Sequence, residues 1–188
     1  MALNYQRHFI SEQDYLEGER LSTVRHEYIN GDVYAMAGAS KNHDRIAGNV
    51  FAKFHAHLEA APCAPFFSDI KVKVDHDFFY PDVIVVCDDQ TEDDYYTESP
   101  KIIVEVLSKS TRRTDQTLKR SAYQKLPSLE EYVLIEQDFV DVEICRRSNG
   151  WRSEHYYLGD EVYFAAIDLR LLVEVIYARV VNDDMQEF

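Results

Sequence analysis

Apolar residues recur every three or four positions along residues 43–59, which is the period of an amphipathic helix. The resulting stripe consists of Ile46, Val50, Phe51, Phe54 and Leu58. A second helix is predicted over residues 111–125, where Ser110 or Thr111 is available to cap the first turn.

Strands are predicted on both sides of this second helix. Residues 70–74 alternate between aliphatic and lysine side chains, as in a strand with one exposed face. Residues 83–87, 102–107 and 132–136 are continuous apolar runs, which are typical of strands buried on both faces. The strand, helix, strand order over 102–136 predicts one parallel crossover unit.

Turn signals complete the pattern. Asn30-Gly31 predicts a hairpin over residues 27–36, and Ser11 is expected to open a short helix. Residues 140–145 and 151–157 suggest a second hairpin, and a last strand and a short helix are expected near 173–180. We therefore predict an α/β fold (an α+β mixed sheet) with flanking helices.

Composition favours one globular domain over residues 1–188. The chain has 188 residues and is 46% hydrophobic, without a repeat or a linker. No apolar run reaches the roughly 20 residues of a membrane span, and the first residues lack a signal-peptide pattern. Cys63, Cys87 and Cys145 are odd in number and widely spaced, which argues against a disulfide framework and a cysteine zinc site. We therefore expect a cytoplasmic protein that does not enter a membrane.

The net charge of −14 argues against a nucleic-acid partner, because Lys and Arg provide most of the affinity for phosphate. Residues 101–125, however, hold seven bases and two acids, a local balance of +5 on a remainder of −19. Such a basic strip fits phosphate recognition, although a solvated helix face is the commoner explanation.

Two carboxylates point to metal chemistry. Glu105 lies inside a buried apolar run, where an unpaired carboxylate is costly, and Asp82 begins another. If the two strands pair antiparallel around a loop centred on residue 94, Asp82 faces residue 106 and Glu105 faces residue 83. Two adjacent carboxylates repel each other unless a cation lies between them, and Mg²⁺ prefers such oxygen ligands. We expect the two carboxylates to lie about 4–5 Å apart.

On the following helix, Asp115, Lys119 and Tyr123 share one face at i, i+4 spacing. Lys119 is a candidate to orient a water or a phosphate, and the simpler alternative is an exposed Asp115–Lys119 ion pair. If Lys119 is catalytic, its replacement by alanine is expected to lower the reaction rate by orders of magnitude and to change stability little. If it belongs only to an exposed ion pair, the same change should cost at most about 1 kcal/mol of stability and leave activity unchanged. A Val-Glu-Val string also surrounds Glu174, which we interpret as a residue of a helix start.

Pro81-Asp82, Glu105 in a strand and a lysine beyond it resemble the PD-(D/E)XK nuclease superfamily. The wider pattern over residues 11–180 resembles its Uma-two family of restriction-type endonucleases. That pattern comprises Glu27 with the Asn30-Gly31 turn, His43 at a helix start, residues 108–113, Lys119 with Tyr123, and residues 131–135.

The resemblance implies a restriction-endonuclease-like core with an additional β-hairpin. It implies Asp82 and Glu105 as ligands of Mg²⁺ or Mn²⁺, and Lys119 as the catalytic lysine. Leu107 stands where the superfamily motif has its lysine. In the family the catalytic lysine is taken to come from the following helix, so Lys119 is preferred to Lys109. Lys109 is a rival candidate, and it stands where this family more often has proline.

Further residues are weighed for the site. Glu27 is either a third metal ligand or an exposed strand residue, and His43 either reaches the site or only helps to cap its helix. Nucleic acid is expected to contact Lys109, Arg112 and Arg113, where the amides of the helix start also favour phosphate.

The expected function is metal-dependent hydrolysis of phosphodiester bonds in DNA. A homodimer is a further expectation, because cutting both strands needs two sites. The alternatives are a nuclease-fold module that binds nucleic acid or protein without cleaving, and, ranked last, a two-carboxylate glycoside hydrolase.

Overall fold

The computed structural model describes residues 9–186. Its strands in chain order are β1 (His26–Ile29), β2 (Asp32–Ala35), β3 (Cys63–Phe67), β4 (Lys71–Val74), β5 (Asp77–Phe79), β6 (Val83–Cys87), β7 (Tyr96–Thr97), β8 (Pro100–Leu107), β9 (Glu131–Glu136), β10 (Val142–Arg146), β11 (Ser153–Tyr156), β12 (Glu161–Phe164) and β13 (Leu169–Leu172). Its helices are α1 (Glu12–Leu21), α2 (Lys41–Leu58), α3 (Arg112–Thr114), α4 (Arg120–Tyr123), α5 (Val173–Ile176) and α6 (Asp183–Gln186). A π-helical turn, Asp115–Lys119, joins α3 to α4, and we call the three segments together the 112–123 helix.

The main sheet has six strands in the order β11-β10-β9-β8-β6-β3. Strands β8 and β9 are parallel, and the 112–123 helix lies between them in the chain, so the predicted crossover unit is confirmed. Alternation of side chains divides the apolar runs between two cores. Val83 and Val104 pack in a core with α2, whereas Ile84 and Ile103 pack in a core with Tyr123 of the 112–123 helix.

A second sheet has the order β2-β1-β5-β4-β7, and β12 pairs with β13. The predicted hairpin turn is confirmed: Asn30 and Gly31 have φ values of 52° and 84°. A Cβ atom at Gly31 would lie 2.3 Å from the Phe9 ring, so both the backbone conformation and this contact require glycine. The predicted helix starts at Ser11 and near Glu174 are also confirmed, since Ser11 caps α1 and Glu174 lies in the first turn of α5.

The predicted exposed face of β4 is wrong. Lys71 is buried, and its ammonium lies 5.2 Å from the centre of the Tyr80 ring and 5.9 Å from that of Tyr95. Aromatic faces attract a cation, so they stabilise the lysine in a position that alternation assigned to solvent.

The predicted register between β6 and β8 is wrong by one residue. Val83 pairs with Val104 and Ile84 with Ile103, because the pairing shifts between Val85 and Val86 and the connecting segment itself contains β7. Continued by one residue, the observed register places Asp82 opposite Glu105. Both acids then belong to the face that packs against the 112–123 helix, rather than to opposite faces.

The argument against a disulfide is also wrong. Cys63 and Cys87 are cross-strand partners in β3 and β6, and their sulfur atoms are bonded at 2.00 Å. Antiparallel pairing brings together two cysteines that are 24 residues apart, which sequence spacing could not reveal. The cysteine pattern therefore no longer supports the expected cytoplasmic location. Within residues 9–186, no helix is both long enough and apolar enough to cross a membrane.

Candidate active site

An open cleft of about 600 Å³ lies where the end of β8, the start of β6, the first turn of α2 and the 112–123 helix meet. Its lining includes all five residues that the sequence analysis considered for the site, and each comes from a different segment of the chain: Glu27, His43, Asp82, Glu105 and Lys119. Another part of the cleft is lined by the hydroxyl groups of Ser40, Ser108, Ser110 and Thr111. The partly exposed rings of Tyr34 and Phe67 also line it. The cleft therefore combines a charged floor with polar and aromatic walls.

The centre of the charged floor is the Lys119 ammonium. Its Nζ atom lies 2.8 Å from Glu27 Oε1, 3.2 Å from Glu105 Oε1 and 3.2 Å from Asp115 Oδ1. The lysine is only 4% exposed, so the alternative of an exposed ion pair with Asp115 is wrong. Burial lowers the pKa of Lys119, but Glu105, Glu27 and Asp115 outweigh it and raise that pKa well above its usual range. The ammonium is therefore charged in the folded protein.

Glu105 is buried in the centre of this cluster. Tyr123 donates a hydrogen bond of 3.0 Å from its hydroxyl group to Glu105 Oε1, and Lys119 donates another of 3.2 Å. Burial raises the pKa of Glu105 well above its usual range, and repulsion from Asp115, Asp82 and Glu27 adds to this effect, whereas Lys119 opposes it. One lysine does not offset the negative charge around Glu105.

Asp82 is held from two sides. The backbone N–H of Val106 donates a hydrogen bond of 2.7 Å to Asp82 Oδ2, and His43 Nε2 lies 3.3 Å from the same oxygen. Burial lowers the pKa of His43, but its hydrogen bond to Asp82 and the charge of that carboxylate raise the pKa above its usual value. His43 Nδ1 is buried and has no hydrogen-bond partner among the described residues.

Glu27 and His43 thus both reach the site. The Glu27 side chain is 12% exposed and accepts a hydrogen bond of 3.2 Å from the Tyr80 backbone N–H, so the exposed-strand alternative is wrong. Ser40 caps α2, because its hydroxyl oxygen accepts the His43 backbone N–H, which leaves the imidazole free to contact Asp82.

Asp115 is a residue of the site that the sequence analysis did not select. It is buried, lines the cleft and lies on the π-helical turn, one turn before Lys119. Burial raises its pKa, while Lys119 and a side-chain hydrogen bond with Thr111 lower it. The i, i+4, i+8 spacing of Asp115, Lys119 and Tyr123 contained the signal, but an exposed ion pair produces the same spacing.

The donor set suits a hard cation, because it is made of carboxylate oxygens. As the side chains stand, however, no described group of three or more His, Cys, Asp or Glu residues is arranged to hold a metal ion. The Lys119 ammonium already contacts two of the three candidate ligands, Glu27 and Glu105. The residues therefore fit a divalent cation in charge and chemistry, on condition that Lys119 leaves these two oxygens.

The basic strip over 101–125 is mostly neutralised by neighbouring acids. Arg112 donates hydrogen bonds to Glu136, one of them of 2.7 Å from Nε, and one of 3.2 Å to Asp138. Burial lowers the pKa of Arg120, but its partners, Glu143 among them, raise it overall. Of the three residues predicted to contact nucleic acid, Lys109 and Arg113 are exposed, whereas Arg112 is engaged with carboxylates.

Glu174, in the second Val-Glu-Val string, does not line the cleft. Its Oε1 accepts a hydrogen bond of 2.7 Å from the Gly159 backbone N–H. The string by itself thus carries no information about the site.

Comparisons with known proteins agree with the fold. Residues 12–174 match the family model Uma2, described as "Putative restriction endonuclease". Two uncharacterized proteins of Synechocystis sp. are similar. The protein slr1290 is 33% identical over 174 residues, which cover 89% of this chain and 91% of that protein. The protein sll1609 is 32% identical over 157 residues, which cover 80% of this chain and 82% of that protein. The crystal structure of a "putative nuclease belonging to DUF820" from Anabaena variabilis has a TM-score of 0.77 at 16% identity, over 92% of this chain and 99% of that one. This likeness confirms the predicted mixed α/β fold.

Proposed function

The chain belongs to the Uma2 family of "Putative restriction endonuclease" proteins, and we propose that it is a nuclease that hydrolyses phosphodiester bonds of DNA with the help of Mg²⁺ or Mn²⁺. One observation carries the proposal: Glu27, Asp82 and Glu105 converge with a buried lysine at the floor of an open cleft. A structural ion pair has no need of an open cleft, nor of more carboxylates than cations.

Asp82, Glu105 and Glu27 would hold the cation. When bound, the cation polarises the phosphate and lowers the pKa of an attacking water. Tyr123 fixes the orientation of Glu105, and the Val106 N–H with His43 fixes that of Asp82. These contacts hold the carboxylate oxygens of Glu105 and Asp82 in place at the lining of the cleft.

Lys119 is the buried positive side chain that contacts the proposed metal ligands Glu27 and Glu105. A buried ammonium stabilises negative charge that develops on a phosphate more strongly than a solvated one does, since the local dielectric constant is low. Lys109 and Arg113 are exposed cations that could contact the backbone of the nucleic acid beyond the cleft.

Plasmid DNA incubated with Mg²⁺ or Mn²⁺ tests this function. We expect nicking or linearisation by the wild-type protein, none in EDTA, and a rate at least about 100-fold lower in Glu105→Gln. Glu174→Gln is the matched control, because this glutamate has the same neighbours in the sequence but lies outside the cleft; it should cleave like the wild type. Cleavage by Glu105→Gln at the wild-type rate would contradict the proposal.

A binding module without catalytic activity is the second candidate. The net charge of −14 and the contact of Lys119 with two of the proposed metal ligands favour it. It predicts that fluorescently labelled DNA binds equally in EDTA and in Mg²⁺ and stays intact in both. Cleavage that requires the cation decides for the nuclease.

We also propose that the protein acts as a homodimer, because cutting both strands of a duplex requires two active sites. Light scattering should then give twice the chain mass of 22.0 kDa under the conditions of cleavage. A monomer that makes double-strand breaks in a single encounter would exclude it.

A further inference from the structure

The Lys119 ammonium is shared between two sides of the cleft. Glu27 and Glu105 reach it from strands β1 and β8, and Asp115 reaches it from the 112–123 helix, on which the lysine itself lies. Only the two strand carboxylates are among the proposed metal ligands. The ion pair between Lys119 and Asp115 can therefore remain intact when the metal ion binds.

Asp115 also has an unusual environment for a buried acid. Its Oδ1 atom is inaccessible to solvent and forms an ion pair with the Lys119 ammonium 3.2 Å away, but it accepts no well-aligned hydrogen bond from the described residues. Buried carboxylate oxygens are normally hydrogen-bonded, and an exception calls for an explanation. An ammonium that moves towards Oδ1 would satisfy this oxygen.

The π-helical turn supplies the geometry. Asp115–Lys119 is wound more loosely than the α-helical segments on either side, and it carries both charged residues into a buried position. Single π-helical turns inside α-helices occur frequently at functional sites. The turn places the acid and the lysine on the side of the helix that faces the cleft.

We propose that Asp115 is a positioning residue that retains Lys119 beside the site while Glu27 and Glu105 bind a divalent cation. The inference rests on the proposed function. In the absence of metal, the ammonium pairs with Glu27 and Glu105. When these two carboxylates bind the cation, the ammonium withdraws to Asp115 and stays within reach of a phosphate. Asp115 thereby lowers the cost of exchanging the ammonium for the metal ion.

This role has a thermodynamic consequence. Without the Asp115 carboxylate, the ammonium keeps only the two metal ligands as ion-pair partners among residues 9–186, so it competes more strongly with the cation. The substitution Asp115→Asn should therefore weaken metal binding only in a protein that contains Lys119. A metal ligand behaves differently, because its loss weakens binding whether or not the lysine is present.

Calorimetric titration with Mn²⁺ alone, without DNA, distinguishes these cases. We expect Asp115→Asn to weaken Mn²⁺ binding about tenfold, a usual size of coupling between two sites. Lys119→Met should strengthen binding because it removes the competing ammonium, and the double variant should equal Lys119→Met within about twofold. Asp75→Asn is the matched control: this acid pairs with Lys125 at 2.9 Å on the surface and should leave Mn²⁺ affinity unchanged.

Two results overturn the inference alone. An Asp115→Asn effect of the same size in the Lys119→Met background makes Asp115 a ligand, and no effect in the wild-type background leaves it without a role in metal binding. Absence of Mn²⁺ binding to the wild type overturns the metal-dependent function and the inference together, whereas either of the other two results leaves that function standing.

A second measurement needs no substitution of the lysine, in case Lys119→Met fails to fold. In protein labelled with ¹⁵N at lysine, the Nζ resonance of a buried, ion-paired ammonium is protected from exchange with water. We expect the Lys119 signal to persist in wild type saturated with Mg²⁺ and to vanish on Mg²⁺ addition to Asp115→Asn. Its loss in the wild type, or its persistence in Asp115→Asn, contradicts the proposal.

Discussion

Replacing Lys119 by alanine should destabilise the folded protein by about 3–5 kcal/mol at neutral pH, the usual cost of removing one partner of a buried ion pair. Its ammonium lies 2.8–3.2 Å from three carboxylates. Each such contact contributes roughly 5 kcal/mol of attraction at an effective dielectric constant of about 20. Desolvation of the ammonium and repulsion among the acids offset much of this sum. The expectation from sequence that stability would change little is therefore replaced, because the lysine is 4% exposed rather than solvated.

The effect should depend on pH in a defined direction. The pKa of Glu105 is raised in the folded protein, and without Lys119 it rises further, so the folded variant binds a proton that the unfolded chain releases above a pH of about 4.5. Stability of Lys119→Ala should consequently fall as the pH rises above this value. The difference from the wild type should be smaller at pH 5 than at pH 8.

Urea unfolding followed by circular dichroism at both pH values measures this effect. Lys125→Ala is the matched control, because Lys125 Nζ lies 2.9 Å from Asp75 Oδ2 but the two side chains are 61% and 63% exposed. An exposed pair of this kind contributes less than about 1 kcal/mol. Equal and small losses in the two variants would refute the burial argument. Loss of cleavage in Lys119→Ala is then to be measured at a temperature where the variant is fully folded.

Three further results are expected. Mg²⁺ at about 100 times its dissociation constant should stabilise the wild type by about 2.7 kcal/mol, seen as a rise in melting temperature that disappears in Glu105→Gln but not in Glu174→Gln. Arg113→Ala should reduce the slope of log affinity for duplex DNA against log salt by about 0.9, whereas Arg112→Ala should leave it unchanged, since Glu136 and Asp138 already neutralise that guanidinium. Cys63→Ser should cost about 3 kcal/mol in urea unfolding under oxidising conditions and much less in the presence of a reductant, because the bond to its partner closes a loop across 24 positions. Equal slopes in the two arginine variants, or equal stability of the cysteine variant and wild type without reductant, would contradict the respective argument.

The central strands and the crossover helix could be predicted because each depends on local information. The short run at 102–107, which is apolar except for Glu105 and rich in β-branched residues, favours a strand with two buried faces over a helix. The run at 132–136 repeats this signal after one helix. The Asn30-Gly31 turn is similarly local, since both residues tolerate positive φ. The predicted strand and the helix that follows it carry Glu105 and Lys119, respectively, within one strand, helix, strand unit.

The features that sequence missed depend on pairing between distant segments. The register of Asp82 opposite Glu105 follows from a local shift near Val86 and from β7 inside the connection, neither of which has a signature in the sequence. The bond of Cys63 to its partner follows from the same antiparallel pairing at the sheet edge. Burial of Lys71 depends on two aromatic rings that come from other segments. Periodicity cannot supply such information.

The charge balance of the site links folding to function. Buried carboxylates require a positive partner for the chain to fold, and Lys119 provides one before any metal ion arrives. Catalysis as proposed requires a second positive charge on the same oxygens, so the contacts that stabilise the fold must be given up for activity. A site of this kind gains stability only at the expense of metal affinity, as is common where active sites conflict with stability. For this reason a substitution that strengthens the Lys119–Glu27 contact should weaken metal binding even though it touches no apolar core residue.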